Sequence, residues 1–490
     1  MCGIGGVILT NEARSGVRLA HIRQKLADLA NQAIQRGRDS VGFAMLSPNG
    51  VINRKWIEPD VRLTPGDFPI DHEHRDAAVV ILSRRAEPTT EWVSDKRPDD
   101  VHPFTGRGWW AVHNGTIAND KELRRDYDIQ TATPIDSAVI PFMLAKCKNA
   151  EEIQETLRSK IIGSFALAFF HENDPNVLWL ATNYQPLSIC YDKNDGALYF
   201  ASLADYFPSE SPTSGILATS VEPYTLMRVS RVNGKFTTEK WSLASQPKKS
   251  ALVICSAGLD STTAAGWAKH NGYDVHLLHF LYKCRAESKE SAAIPKIAEA
   301  LGCDYTFIRT DFFKDVIGHS RLTETDAELM KEGDGVASAE LAYEWVPARN
   351  LVMLSIATAF AEAHGYGYIM LGNNIEESGA YSDNTQLFTK RFRDILPVAV
   401  NLGTVVDLLE PVGHLTKREI VALAREVKAP LQYSWSCYES TEKHCGKCGP
   451  CFMRRNAFKM NGLIDPQPYA ELPDGWWEGC TPWESALVQS

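Results

Sequence analysis

Short apolar runs separated by turns dominate the first 200 residues: GVILT, SVGFAML, AVVILSR, GWWAVHNG, SFALAFF, VLWLAT, LSICYD and ALYFAS. Runs of this length, rich in β-branched and aromatic residues, predict strands. Two stretches, about 17–35 and 136–147, carry apolar residues at helical spacing and predict amphipathic helices. Together they predict an α+β domain. From about 235 to 250 the segment KFTTEKWSLASQPKKS loses periodicity and gathers Lys, Ser and Pro, which predicts a boundary. Beyond it ALVIC, DVHLLHF, DYTFIR and YIML are near-continuous apolar runs, separated by helical stretches such as TTAAGWAKH, SAAIPKIAEALG and LVMLSIATAFAEAHG. Strands alternating with helices predict a doubly wound parallel sheet.

Composition narrows the class. With 490 residues, 44% hydrophobic and 23% charged, the chain is globular and multidomain. No run reaches the roughly 18 apolar residues that a membrane span needs, and the start MCGIGGVILT lacks a basic leader. The expectation is a cytoplasmic protein without a membrane partner, in the host cytoplasm if the gene is viral. Eleven cysteines, an odd number, argue for reactive or metal-ligating thiols rather than a disulfide framework. The net charge of −10 is uneven: residues 251–490 hold 22 Lys+Arg against 31 Asp+Glu, a net −9. Broad duplex binding needs a basic surface. Any nucleic-acid contact therefore falls to a local patch, with Lys447, Arg454, Arg455 and Lys459, and Lys390, Arg391 and Arg393, as candidates.

Removal of Met1 would place a thiol and a free α-amine on Cys2. An α-amine with a pKa of about 8 accepts the thiol proton near neutral pH, so nucleophile and base share one residue. The motifs RGRDSVG (36–42), LSRRAEP around Arg84, VHNGTIANDKELR (112–124) and PIDSAVI around Asp136 resemble the class II glutamine amidotransferase domain in order and spacing. The resemblance covers about residues 1–240 and implies an N-terminal-nucleophile (αββα) fold, two sheets between helical layers. It implies Cys2 as nucleophile on the glutamine carboxamide and Arg84 as partner of the glutamine α-carboxylate. It also implies an oxyanion hole from the Asn114 amide and the Gly115 N–H, with Asp136 holding the α-amine. Where many members carry Trp or Tyr after the arginine, this chain has Arg85.

The segment VICSAGLDSTTAAGWA sets a Ser- and Gly-containing turn between a predicted strand and a predicted helix. Backbone N–H groups, hydroxyls and the helix N-terminus at such a turn make a pyrophosphate cradle. It resembles the PP-loop ATP pyrophosphatases, which cleave ATP between the α and β phosphates and adenylate a substrate oxygen. Ser256, Gly258, Leu259, Asp260, Ser261 and Thr262 would bind ATP with magnesium; Ala257 stands where Gly is usual. Further on, Cys437, Cys445, Cys448 and Cys451 form C-x7-C-x2-C-x2-C. That spacing in a reducing compartment predicts a closed structural zinc site, with an iron–sulfur cluster as competitor.

This cysteine cluster, with WVPARNLVMLSIATAFAEAHG, LGNNIEESGAYSDN and PVGHLTKREI, resembles the 7-cyano-7-deazaguanine synthase (QueC) family over about residues 250–465. The resemblance implies an α/β PP-loop domain over 248–465 with a C-terminal extension over 466–490. It gives Lys417 to ATP and surrounds a deazapurine with Arg349, Asn374, Glu376, Tyr381 and Asp383. Phe388 and Tyr381 are candidates to stack on the base. The family's Asp–Cys pair becomes Asp383 and Asn384 here, and its Tyr–Gly–Gln–Arg becomes Tyr282, Lys283, Cys284 and Arg285. The Trp-rich end DGWWEGCTPWESALVQS is expected to pack against a neighbouring domain or subunit.

Fusion of the two domains resembles archaeosine-type synthases, which add glutamine-derived ammonia to the nitrile of 7-cyano-7-deazaguanine already in nucleic acid. The favoured expectation is that amidine-forming reaction, on DNA rather than tRNA, shielding the DNA from restriction. The alternative is ATP-dependent synthesis of the free nitrile from 7-carboxy-7-deazaguanine with glutamine as nitrogen source. An expectation of another class is a zinc-stabilised, non-catalytic nucleic-acid-binding module. Homo-oligomerisation stays open.

Overall fold

The structure is a computed structural model that describes the chain apart from residues 1, 12–13, 71–75, 88–94, 208–217, 319, 321, 325–343, 380, 402, 440–441 and 489–490. It divides into two compact units, residues 1–245 and 246–490. Met1, whose removal would free the Cys2 amine, lies outside the described residues.

In the first unit the strands run β1 (Gly3–Leu9), β2 (Ser40–Ser47), β3 (Gly50–Trp56), β4 (Val79–Arg85), β5 (Phe104–Gly106), β6 (Trp109–Ile117) and β7 (Gly163–His171). They continue as β8 (Val177–Thr182), β9 (Ser188–Asp192), β10 (Ala197–Ala201), β11 (Ala218–Ser220), β12 (Thr225–Val232) and β13 (Lys235–Ser242). One sheet has the order β11-β9-β10-β1-β4-β2-β3 and the other β13-β12-β8-β7-β6-β5. Alternation along the strands decides the layers. Val7 and Leu9 of β1 face Leu19, Ile22 and Leu26 of the helix Gly16–Gln32. Ile4 and Ile8 face the second sheet, where Val112, Ala166, Leu178 and Val229 meet them. The far face of that sheet packs beneath the helices Asp120–Asp126, Ile140–Leu144 and Ala150–Ser159. These are the four layers of the N-terminal-nucleophile fold.

Two local expectations change. The helix expected over 136–147 is a 3₁₀ turn, Asp136–Val139, followed by the helix Ile140–Leu144. Pro141 sits in that helix's first turn, where its missing N–H costs nothing. The segment KFTTEKWS, expected to lie at the boundary, is the strand β13. It is an edge strand with mostly exposed side chains, so its composition is polar and hides its pairing with β12.

In the second unit β14 (Ser250–Ile254), β15 (Asp274–Leu281), β16 (Asp304–Arg309), β17 (Tyr368–Met370) and β18 (Asp407–Leu409) form a parallel sheet of order β16-β15-β14-β17-β18. The helices Leu259–His270 and Glu287–Leu301 cover one face through Ala265, Ala268, Ile294 and Ile297. The helices Arg349–His364 and Gln386–Ala399 cover the other through Leu354, Ala357, Phe392 and Leu396. Strand order reverses between β14 and β17, and in such sheets the crevice beyond the strand ends at the reversal is where ligands bind. Gly372, just past β17, permits the close approach there. A Cβ on it would lie 2.6 Å from the backbone of Ser261.

The C-terminal extension packs on this second unit. Trp483 is fully buried with Val412, Ile420 and Phe458. Below it, Arg454 and Asp465 are buried and pair through Nε–Oδ2 at 2.7 Å and Nη2–Oδ1 at 3.0 Å. Ser434 and Ser436 accept from Arg454 Nη1, and Tyr469 Oη donates to Asp465. A bidentate pair with its remaining donors satisfied survives burial; one stripped of its anion does not. Asp465→Asn is therefore expected to destabilise this unit by about 3 kcal/mol, read as a lower urea midpoint at an unchanged slope.

Candidate functional site

Three segments meet at the reversal point. The turn after β14 carries Ser256, Ala257 and Gly258, and Gly258 is the N-cap of the helix Leu259–His270. Ser261 Oγ accepts from Ser256 N at 3.2 Å and lies 3.1 Å from Ser256 Oγ, pinning the turn against the helix end. Ala257 holds φ +61°, a left-handed conformation that costs a residue with a Cβ about 1 kcal/mol. Leu259 is buried in the apolar cluster with Ile420 and Val421, so only its backbone faces the turn. Ser261 and Thr262 are buried in the first turn of the helix.

Lys417, the first residue of the helix Lys417–Glu426, reaches in from the third segment. Its Nζ lies 2.5 Å from Asp260 Oδ2 and 2.7 Å from Glu377 Oε1. Asn374 Nδ2 donates to the same Asp260 oxygen at 3.1 Å. The two carboxylates hold the buried ammonium well above its ordinary pKa, so Lys417 stays charged. Asp260 Oδ1 is buried and has no hydrogen-bond partner among the described residues. A carboxylate oxygen left bare at the mouth of a phosphate-type cradle fits a magnesium nucleotide.

Of the residues expected around a deazapurine, Asn374 is hydrogen-bonded within this cluster, whose Glu377 also feels the Arg349 charge. Glu376 is exposed and accepts from the Lys417 backbone N–H at 2.7 Å. Glu377, which sequence reasoning missed, is the inward glutamate. Nothing in the pair Glu376–Glu377 says which one the turn points inward. Arg349, Tyr381 and Asp383 do come together. Arg349 donates to Tyr282 Oη at 3.5 Å and feels the charge of Asp383. Asn350 Nδ2 binds Asn384 Oδ1 at 2.8 Å and the Asp383 carbonyl at 3.2 Å, which fixes that turn. Beside them burial pushes the Glu290 carboxyl up to about 8. Phe388, like Tyr282, is partly buried against the core of this unit.

In the first unit Cys2 is buried, and desolvation raises its thiol pKa against the opposing pull of the Ala86 backbone and the Arg85 charge. The β1–β4 register pairs Gly3 with Arg84, so Cys2 and Arg85 share the face between the sheets. Arg84 points to the other face and donates to the carbonyls of Ala30 and Val61 beneath the helix Gly16–Gln32. The guanidinium on the thiol's side is that of Arg85, which pairs with Glu87 at 3.0 Å. Asp136 is felt by the Cys2 thiol, and its carboxylate accepts from Ile117 N at 2.6 Å and from Ser137 N and Oγ at 2.6 and 2.9 Å. Asn114 is fully buried; its Nδ2 donates to Gln185 Oε1 at 3.5 Å. Gly115 holds φ +148°, and a Cβ there would lie 1.9 Å from the Ser164 carbonyl. Only glycine fits. His102 is buried, its pKa lowered by desolvation, and neither ring nitrogen has a hydrogen-bond partner among the described residues.

The four cysteines converge. The Sγ atoms of Cys437, Cys445, Cys448 and Cys451 all lie within 4.8 Å of one another, with Cys445–Cys451 at 3.8 Å and Cys437–Cys448 at 4.0 Å. Four thiolates about 2.3 Å from a tetrahedral ion stand about 3.8 Å apart. Backbone N–H groups of Glu439, Cys445, Lys447 and Cys448 point at Cys437 and Cys445 sulfurs at 3.3–3.4 Å, supporting thiolate charge. The group could hold a metal ion.

The candidate basic residues divide between core and surface: Lys390, Arg391, Arg393 and Lys447 are exposed. Arg454 and Arg455 are buried, Arg454 on Asp465 and Arg455 between Phe452 and Trp476. Arg393 is spent bidentately on Asp407, Lys447 on Glu471, and Arg391 lies 3.7 Å from Asp394. Among the described residues no helix is long and apolar enough to cross a membrane.

Comparison with known proteins adds names to this geometry. Residues 250–462 match the family described as queuosine biosynthesis protein QueC, and residues 90–209 match a glutamine amidotransferase domain. The 7-cyano-7-deazaguanine synthase of Saccharolobus solfataricus is 41% identical over 473 residues, covering 96% of this chain and 100% of that protein. The 7-cyano-7-deazaguanine synthase 2 of Sulfurisphaera tokodaii is 41% identical over 470 residues, with the same coverage of both chains. The 7-cyano-7-deazaguanine synthase of Campylobacter concisus is 38% identical over 225 residues, 45% of this chain and 99% of that protein.

Three outcomes follow from the geometry. Arg85→Ala is expected to raise the glutamine KM of the glutaminase reaction about 10- to 100-fold, the worth of a charge-assisted bidentate contact. Arg84→Ala is expected to lower the melting temperature with a far smaller change in KM. Cys451→Ser is expected to lose bound metal, read by elemental analysis, together with thermal stability of the second unit.

Proposed function

The chain belongs to the 7-cyano-7-deazaguanine synthase family, and from that premise we propose that it makes free 7-cyano-7-deazaguanine from 7-carboxy-7-deazaguanine, with ATP, using ammonia released from glutamine at Cys2. It is an enzyme with a glutamine amidotransferase domain and a QueC-type domain. The observation that carries the proposal is the phosphate cradle closed by Lys417, Asp260 and Glu377. Converting a carboxylate to a nitrile removes two oxygens, and each must leave as a better leaving group than hydroxide. Adding ammonia to an existing nitrile removes none and gives the cradle nothing to do.

The steps balance. A carboxylate oxygen attacks the α-phosphorus of ATP and expels pyrophosphate. Ammonia displaces AMP and, after losing a proton, leaves the carboxamide. A second ATP adenylates the amide oxygen and expels a second pyrophosphate, and departure of AMP with both protons of the nitrogen gives the nitrile. Ser256, Gly258, Ser261 and Thr262 line the phosphate turn, Lys417 carries positive charge for the phosphates, and Asp260 Oδ1 is the atom for magnesium. Arg349 presents guanidinium donors to the substrate carboxylate. Glu290, with its raised pKa, is suited to take the protons that the two nitrogen steps release. The closed Cys437, Cys445, Cys448 and Cys451 set suits structural zinc, which would brace the loop and take no part in the reaction.

In the first domain the Cys2 thiolate attacks the glutamine carboxamide and Arg85 holds the α-carboxylate. Asp136 holds the α-amine, and the Asn114 amide with the Gly115 N–H stabilises the oxyanion. The Campylobacter relative, whose whole length corresponds to less than half of this chain, carries the same name. That agrees with the first half being an ammonia source for a reaction the second half performs.

The amidine-forming reading on DNA or tRNA is supported by the altered turn at Asp383 and Asn384 and by the fusion itself. The burial of Arg454 and Arg455 and the net −9 of residues 251–490 weigh against it. A non-catalytic module is set aside by the enzyme family.

The decisive assay offers free 7-carboxy-7-deazaguanine, nitrile-bearing DNA and nitrile-bearing tRNA, each with and without ATP, and examines products by mass spectrometry. The nitrile is expected from the free acid, with ATP only; an amidine nucleoside formed from DNA without ATP would overturn the proposal. Cys2→Ala is expected to abolish glutaminase activity and glutamine-driven product while sparing product made from ammonium.

A further inference from the structure

Trp345 and Tyr381 come from different segments, yet their rings are 12° from parallel with centroids 6.4 Å apart. That makes them a near-parallel pair toward the long end of the spacing of contacting aromatic rings. Tyr381 is two residues before Asp383, a residue only 8% exposed. Among the described residues its hydrogen-bond donors are backbone groups, Asn350 N at 3.4 Å and its own N–H. The Asn350 carboxamide that could have served it is instead engaged with Asn384 Oδ1 and the Asp383 carbonyl. Burial outweighs the nearby Arg349 charge and raises the Asp383 pKa. A carboxylate so placed, with side-chain donors withheld, wants two parallel N–H groups. A guanine-type base supplies them on one edge, at N1 and at the 2-amino group, in the same fork that makes arginine–carboxylate pairs bidentate.

We propose that Trp345 and Tyr381 sandwich the base and that Asp383 reads its N1–H and 2-amino edge, making these residues the determinants of base identity. The assignment rests on the deazaguanine reading above and deepens it, because it says which face of the base the protein checks. Asn384 holds the reading carboxylate in place through Asn350 and does not touch the base.

The test is calorimetric binding to the full-length protein of 7-carboxy-7-deazaguanine and of its analogue lacking the 2-amino group. Wild-type protein is expected to bind the amino-bearing base at least tenfold more tightly. Asp383→Asn, which keeps the shape of the side chain, is expected to weaken that base about 10- to 100-fold and to erase the preference. Trp345→Ala is expected to weaken both bases about tenfold and equally, with Trp345→Phe restoring most of the loss. Melting curves verify that each variant is folded. If Asp383→Asn keeps wild-type affinity and preference, the edge-reading assignment fails while the deazaguanine reading stands. If wild-type protein binds neither base, the deazaguanine reading fails and takes this assignment with it.

Discussion

The second half of the molecule is organised around one buried ammonium. Taking Lys417 out of water costs several kcal/mol unless opposite charges and hydrogen bonds replace the solvent. Asp260 and Glu377 do so at 2.5 and 2.7 Å, and Asn374 ties Asp260 to the same loop as Glu377. The three charged residues come from three separate segments: the N-terminus of the helix after β14, the loop after β17, and the start of the helix Lys417–Glu426. Each can be where it is only if the other two are. The constraint therefore closes the crevice at the strand reversal and leaves Asp260 Oδ1 bare inside it.

The layers and the chemistry-bearing turns were legible in the sequence because periodicity and motif spacing report directly on strands, helices and caps. ALVIC, DVHLLHF, DYTFIR and YIML are β14 to β17, and the SAGLDS turn caps the helix it was expected to cap. Legibility stopped where a side chain's direction decides its role. Arg84 and Arg85 are adjacent in a strand, so they face opposite ways, and motif likeness alone favoured the one that turns away from Cys2. Glu376 and Glu377 are adjacent in a turn, with the same result. β13 and β18 escaped notice because one is a polar edge strand and the other only three residues long.

Charge was the most misleading quantity. A run such as Met-Arg-Arg-Asn beside a cysteine cluster reads as a nucleic-acid contact, yet Arg454 and Arg455 are core residues, one neutralised by Asp465 and the other covered by aromatic faces. Arg454 braces the segment leading to Cys437 through Ser434 and Ser436. Both arginines count as cations in the −9 of residues 251–490, yet neither offers its charge at the surface.

The central claim is that the crevice activates a carboxyl oxygen with ATP, and the fate of that oxygen tests it most directly. 7-Carboxy-7-deazaguanine labelled with oxygen-18 in both carboxylate positions should deliver one labelled oxygen to each of two AMP molecules for every nitrile formed, seen by mass spectrometry. Unlabelled AMP, or label released to water or inorganic phosphate, would contradict the account.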